Sequence, residues 1–178
     1  EDYCNISGYI KTDEPPPDNE IWPMAPDWLP GKLEGEYERF LNVFIHDINL
    51  IRYLFDSLPE IKHVDYHKNA GTLNLEFREI PGVFEFGRLE TNRFWEEGID
   101  IYFEYGRLQL KLPPAFLINY PATVVIHKDN PKKSIELISP QPDWSWSFMK
   151  QAESFVEIVG SGKKSIANAA DGLQDIEF

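Results

Sequence analysis

The chain has 178 residues, about one domain by length, and a domain of that size buries roughly 70% of the surface its unfolded chain exposes. Seventeen Lys and Arg against thirty Asp and Glu give a net charge of −13, which argues against nucleic acid or an anionic membrane surface as the main partner. The single cysteine, Cys4, excludes an internal disulfide and Cys-rich zinc modules and fits a reducing cytoplasm. No apolar run approaches the ~18–20 residues of a membrane span, and no signal peptide is visible, so a soluble, cytoplasmic domain is expected. The start at Glu1 rather than Met reads as a processed product or an excised piece.

Residues 3–12 read as a short strand. A proline-laden stretch follows, with Pro15, Pro16, Pro17, Pro23, Pro26 and Pro30. Proline fixes its own φ and lacks the backbone donor, so residues at about 13–31 form a loop rather than a helix or central strand. Trp22 and Trp28 point to a loop packed on something.

From Glu36 to Leu58 the spacing turns helical, with Phe40, Leu41, Phe44, Ile48, Ile51 and Phe55 three and four apart, as one buried face requires. Pro59 ends it. Ile61–His67 is expected to be a strand, and Asn69-Ala70-Gly71 a turn. Leu73, Leu75 and Phe77 then alternate with polar residues, the period of a half-buried strand. Val83–Phe94 reads as extended. Ile99, Ile101, Phe103 and Tyr105, then Leu108, Leu110 and Leu112 across Gly106, form a hairpin pattern. Thr123–His127 and Ser134–Ser139 add two further strands.

The end is helical again. Asp143 is placed to cap a helix bearing Phe148, Ala152, Phe155, Val156 and Val159, stopped by Gly160 or Gly162. Asn168 reads as a second N-cap. This order predicts a single α+β domain over 1–178: an open, mostly antiparallel sheet with helices packed on one face.

Within the first helix, Arg39, Asn42, His46, Asn49 and Tyr53 are spaced 3, 4, 3 and 4 and share a stripe. His46 falls at the border of the apolar face, where Asn42 one turn earlier is positioned to orient a partly desolvated imidazole for proton transfer near neutral pH. The same pattern is equally that of a wet helix face with a boundary histidine, and spacing does not separate the two. His63 and His67 lie on one face of a strand ~13 Å apart, too far to share a metal unaided. His127 reads as surface. Glu96, Glu97 and Asp100 beside Trp95 form either a ligand edge or a solvated strand start. Trp144-Ser145-Trp146 reads as a hydrophobic staple more than a platform. Ser145 and Ser147 lack a G-x-S-x-G elbow. No glycine loop for a pyrophosphate occurs.

Residues 40–55, FLNVFIHDINLIRYLF, resemble the helix of the Gfo/Idh/MocA family of NAD(P)-dependent oxidoreductases, where Asp-x-x-x-His precedes an apolar D-x-x-R-Y-L type continuation. Residues 151–178, QAESFVEIVGSGKKSIANAADGLQDIEF, resemble that family's closing segment: a Phe-containing helix, a Gly-Lys turn and an Asn/Ala/Asp-rich last helix. The resemblance implies that this chain is the C-terminal α+β domain alone, with the N-terminal Rossmann (dinucleotide-binding) domain missing. It implies NAD or NADP in the full-length protein, none bound by this domain alone, and no metal.

It further implies a sugar-like or polyol substrate whose hydroxyl proton His46 handles, with Asn42 in the place of the family's Asp and Phe44 in that of a small residue. An amide orients an imidazole but does not stabilise its cation as a carboxylate does. Arg39, Trp22 and Trp28 are candidates for substrate contacts. The open sheet face implies a homo-oligomer interface, with Phe84, Phe86, Ile101 and Phe103 serving that interface or the core. The alternatives are a catalytically inactive binding or dimerisation module of the same fold, and an independent carbohydrate-binding domain suggested by the aromatic content.

Overall fold

The computed structural model describes residues 13–15, 18, 23, 25–90, 94–132 and 134–178. The strand expected at 3–12 lies outside them. The described chain is α+β and divides into two compact units, Asp13–Arg88 with Ile166–Phe178, and Leu89–Ser165.

The first unit is built on the alternation noted in sequence. Strand β1 spans Glu60–His67, β2 Ala70–Phe77 and β3 Ile80–Gly87, in the order β1-β2-β3 with both pairings antiparallel. Leu73, Leu75 and Phe77 are buried on one face of β2 while Asn74 between them is exposed, so the period of two decides which side is the core. A register shift between Ile61 and His63 sets Ile61 opposite Leu75 and Val64 opposite Leu73, which keeps both on that inner face. Gly71 sits where chains approach closely: an added Cβ would fall 2.7 Å from the Asp65 carbonyl oxygen and 2.8 Å from the Phe86 ring. Only glycine fits there.

One helical run covers the inner face. It comprises a 3-10 turn Gly31–Leu33, α1 (Glu34–Arg39), a π-turn Phe40–Phe44 and α2 (Ile45–Phe55). It starts five residues before the span expected from spacing and ends three residues before that span does, where Asp56 turns left-handed at φ 47°. Arg78 donates to the Asp56 carbonyl at 2.8 Å, satisfying one of the acceptors that a helix end leaves open. Ile48 is 3% exposed. Phe44, Ile51, Phe55, Phe86 and Phe178 close around Leu73, Leu75, Phe77 and Phe84. Phe55 stacks on Phe77 with centroids 4.6 Å apart, and Phe44 meets Phe86 at 5.0 Å. Helix α4 (Ala169–Glu177) belongs to this unit. Asn168 caps it as expected, with a full capping box closed by Asp171.

The second unit carries β4 (Gly98–Phe103), β5 (Gly106–Lys111), β6 (Thr123–Lys128) and β7 (Glu136–Ile138), antiparallel in that order. The strands thus lie in two sheets rather than one. β3 stops at Gly87, and residues 88–90 do not continue the extended run expected to reach Phe94; 91–93 lie outside the described residues. Ile101, Leu108, Ile126 and Ile138 line up across the second sheet. Phe103, by contrast, is largely exposed, so it is not a core residue.

Helix α3 (Ser147–Ser161) opens at Trp146, whose side chain makes no capping bond, so Asp143 is not its cap. Residues 139–146 before it are non-helical. Gly162 stops α3 at φ 68°, as expected. Phe155, Val156 and Val159, read as a buried stripe, are 67%, 69% and 67% exposed. Periodicity marks the apolar face of a helix, but not what lies against it. Among the described residues, no helix is long and apolar enough to cross a membrane.

Candidate functional site

Helix α2 and the π-turn before it display the stripe that the sequence singled out, but they sort its members onto different sides. His46 and Asn42 are exposed, with Val43, Leu54 and Tyr53 beside them on the open side of the helix. Tyr53 is 71% exposed. His46 is therefore more open than the border position its spacing implied. The π-turn accounts for part of this: a wide turn advances each residue by less than 100°, so positions before it lose their register with positions after it. Asn42 and His46 make no hydrogen bond to each other.

Arg39 is held elsewhere. Its guanidinium donates to Glu36 at 2.8 Å. That ion pair lies beside Tyr66 of β1, whose phenol is pushed above its ordinary value by partial burial first and by the Glu36 carboxylate second. Trp28 is 77% exposed, and Trp22 lies outside the described residues. Of the five residues put forward from sequence, the structure brings Asn42 and His46 to one open helix side. No hydrogen bond or ion pair joins Arg39 or Trp28 to them.

Asn49, the fourth member of the stripe, belongs to a site that sequence reasoning missed. Its Nδ2 donates to Asp175 Oδ2 at 2.7 Å, and Arg52 Nε donates to Asp175 Oδ1 at 2.7 Å. Arg52 also donates to Gln174 Oε1 at 2.9 Å and to the Asp171 carbonyl at 2.9 Å. Asp175 is 4% exposed, and the hydrogen bond to it is the largest influence raising the Arg52 guanidinium above its ordinary value. Both carboxylate oxygens are paired, as a buried charge requires. No local signal predicts a partner 123 residues away.

The remaining candidates resolve toward the plainer reading. His63 and His67 pair with Asn74 and Ala70 on the outer face of the first sheet. Among the described residues, no group of three His, Cys, Asp or Glu side chains is arranged to hold a metal ion. Asp100 is bound by Arg107 at 2.8 Å, and that guanidinium lies 5.3 Å from the centre of the Tyr102 ring. Trp95 Nε1 donates to Glu97 at 3.1 Å. Trp146 Nε1 donates to the Ala115 carbonyl at 3.0 Å, and Phe148 stacks on Phe116, so the Trp-Ser-Trp segment anchors a loop. A shallow cleft of about 360 Å³ in the second unit, lined by Tyr105, Lys128, Asp129 and Ser134, holds none of the residues put forward from sequence.

The described residues do not fit a dinucleotide. A pyrophosphate is cradled where a strand enters a helix through a glycine-rich turn. Here α1 follows a 3-10 turn after Pro30, α3 opens at Trp146, and the first amides of α4 are taken up by Asn168. Comparison with family profiles, curated proteins and solved structures returns no match to this chain. Its class is α+β with antiparallel sheets.

Proposed function

We propose that this chain is the substrate-side domain of an NAD(P)-dependent oxidoreductase of the Gfo/Idh/MocA kind, acting on a hydroxyl or carbonyl of a sugar-like or polyol substrate. The observation that carries the reading is the open side of α2. It presents His46 with Asn42, flanked by Val43, Leu54 and Tyr53, while the opposite side is sealed against the sheet. An accessible imidazole can take a hydroxyl proton from a substrate or return it. Apolar and aromatic neighbours suit a surface that another domain covers, excluding water from a bound substrate.

NAD or NADP would be carried by a companion Rossmann domain, and the part of this chain is the proton and the substrate wall. Arg39 and the Trp22/Trp28 loop enter the site only if that loop closes over α2. A homo-oligomer through the exposed sheet face belongs to the same reading.

A second reading, a catalytically inactive binding or dimerisation module, draws on a specific observation. Asn42 stands where the family has a carboxylate, and it makes no hydrogen bond to His46. An amide in that place leaves the imidazolium without a counter-charge.

The test is calorimetry of the full-length gene product with NADH and NADPH, followed by a polyol and sugar screen. Binding of either nucleotide and turnover of a polyol are expected, and His46→Ala should lower kcat by about 10²–10⁴-fold. An unchanged kcat would remove His46 as the proton carrier. Absence of nucleotide binding would leave the module reading.

A further inference from the structure

We propose that the groove beside α2 in the first unit is a recognition site for an acidic helix, and that residues 168–178 of a second copy of the chain can occupy it in place of its own. This inference does not depend on the oxidoreductase reading.

Asp171, Asp175 and Phe178 are spaced four and three apart, so they lie along one side of α4. The groove answers each of them. Asn49 and Arg52 take the two oxygens of Asp175 at 2.7 Å each. The Arg52 guanidinium also reaches the Asp171 carbonyl at 2.9 Å and its carboxylate at 3.7 Å. Phe178 enters an apolar niche of Ile48, Ile51, Pro59, Leu75 and Phe84. Among the described residues, every polar contact of the Arg52 side chain is to α4. An empty groove would leave that cation largely buried and unpaired, which is costly. The other side of the helix, with Leu173 and Ile176, is exposed.

Three features make this docking transferable. The helix carries its own capping box in Asn168 and Asp171, which favours its first turn wherever it docks. Its matching charge is unambiguous, since α4 holds Asp171, Asp175 and Glu177 and no Lys or Arg. The chain leaves the first unit at Arg88 and returns at Ile166, with a separate compact unit between. A tether that long gives the intramolecular arrangement an effective concentration of about millimolar order rather than an overwhelming advantage. Exchange between two copies repeats the same contacts twice about a two-fold axis and requires no new ones. Helix-in-groove recognition with spaced anchors is a common mode.

Two full-length variants test this. Arg52→Asp and Asp175→Arg each set like charges against one another, so each alone should run as a monomer. Mixed in equal amounts, the D175R helix meets the R52D groove while the unaltered groove of one chain meets the unaltered helix of the other. Light scattering should then show twice the monomer mass. The doubly substituted chain R52D/D175R should remain monomeric. A mixture that stays monomeric while both variants keep native circular dichroism overturns the proposal.

If either variant fails to fold, a fluorescent peptide of residues 166–178 is titrated into the wild-type chain. Saturable binding that is lost when the peptide carries Asp175→Ala supports the proposal. No binding at about 10 mM, well above the effective concentration of the resident helix, overturns it.

Discussion

The two units use the same strand chemistry with different results. In the first, alternation on β2 places Leu73, Leu75 and Phe77 under a helix that contributes Phe44, Ile48, Ile51 and Phe55. In the second, Ile101, Leu108, Ile126 and Ile138 align as regularly, yet no residue described there is buried. The strand pattern is therefore not what separates them. Cover is: the first sheet has an aromatic helix face against it, while the stripe of α3 is two-thirds exposed. Burial per side chain, roughly 1.5–3 kcal/mol for a Leu or Phe, is collected only where a second layer arrives.

The largest expected effect follows from that difference. Phe77→Ala removes a ring that is 5% exposed and stacked on Phe55, so it should cost about 3–5 kcal/mol. Leu108→Ala at the half-buried middle of the second sheet should cost well under half as much. Urea unfolding of each variant measures both. Equal losses would mean that the second sheet has a cover equivalent to the helical one.

The exposed stripe of α3 sharpens the point. Phe155→Ser and Val159→Ser should each change stability by less than about 0.5 kcal/mol, the range for surface positions, because both side chains are mostly in solvent. Losses above about 2 kcal/mol in the full-length gene product, with none in this chain, would show that a companion segment seals that stripe.

What could be read from sequence follows the range of the signal. Period-two alternation at 73–77 and 99–101, the Asn168 cap and the Gly162 stop are local, and each appears where it was expected. Asp143 is not the cap: the N-cap of α3 lies three residues later at Trp146, without a side-chain capping bond, and residue preference alone does not rank neighbouring starts. The candidate stripe failed in part for another local reason. A π-turn at Phe40–Phe44 breaks the 100° step, separating Arg39 from His46. The Arg52–Asp175 pair was invisible because it joins positions 123 residues apart, and nothing in either helix names the other.

The smallest effect concerns Tyr66, at the join of helix and sheet in the better-covered unit. Partial burial, then the Glu36 carboxylate, raises its phenol above the ordinary value near 10. A raised value means that the folded state holds this proton more tightly than the unfolded chain does. The stabilising contribution is therefore complete below pH 10 and is lost as pH climbs through the folded value. Tyr66→Phe should flatten the decline of stability as pH rises above 10 while leaving neutral stability within about 1 kcal/mol, the worth of its hydrogen bond to the Lys68 carbonyl. In an ultraviolet titration Glu36→Gln should lower the pH at which Tyr66 ionises without abolishing the rise, because burial is the larger cause. Complete loss of the rise would assign it to the Glu36 carboxylate rather than to burial.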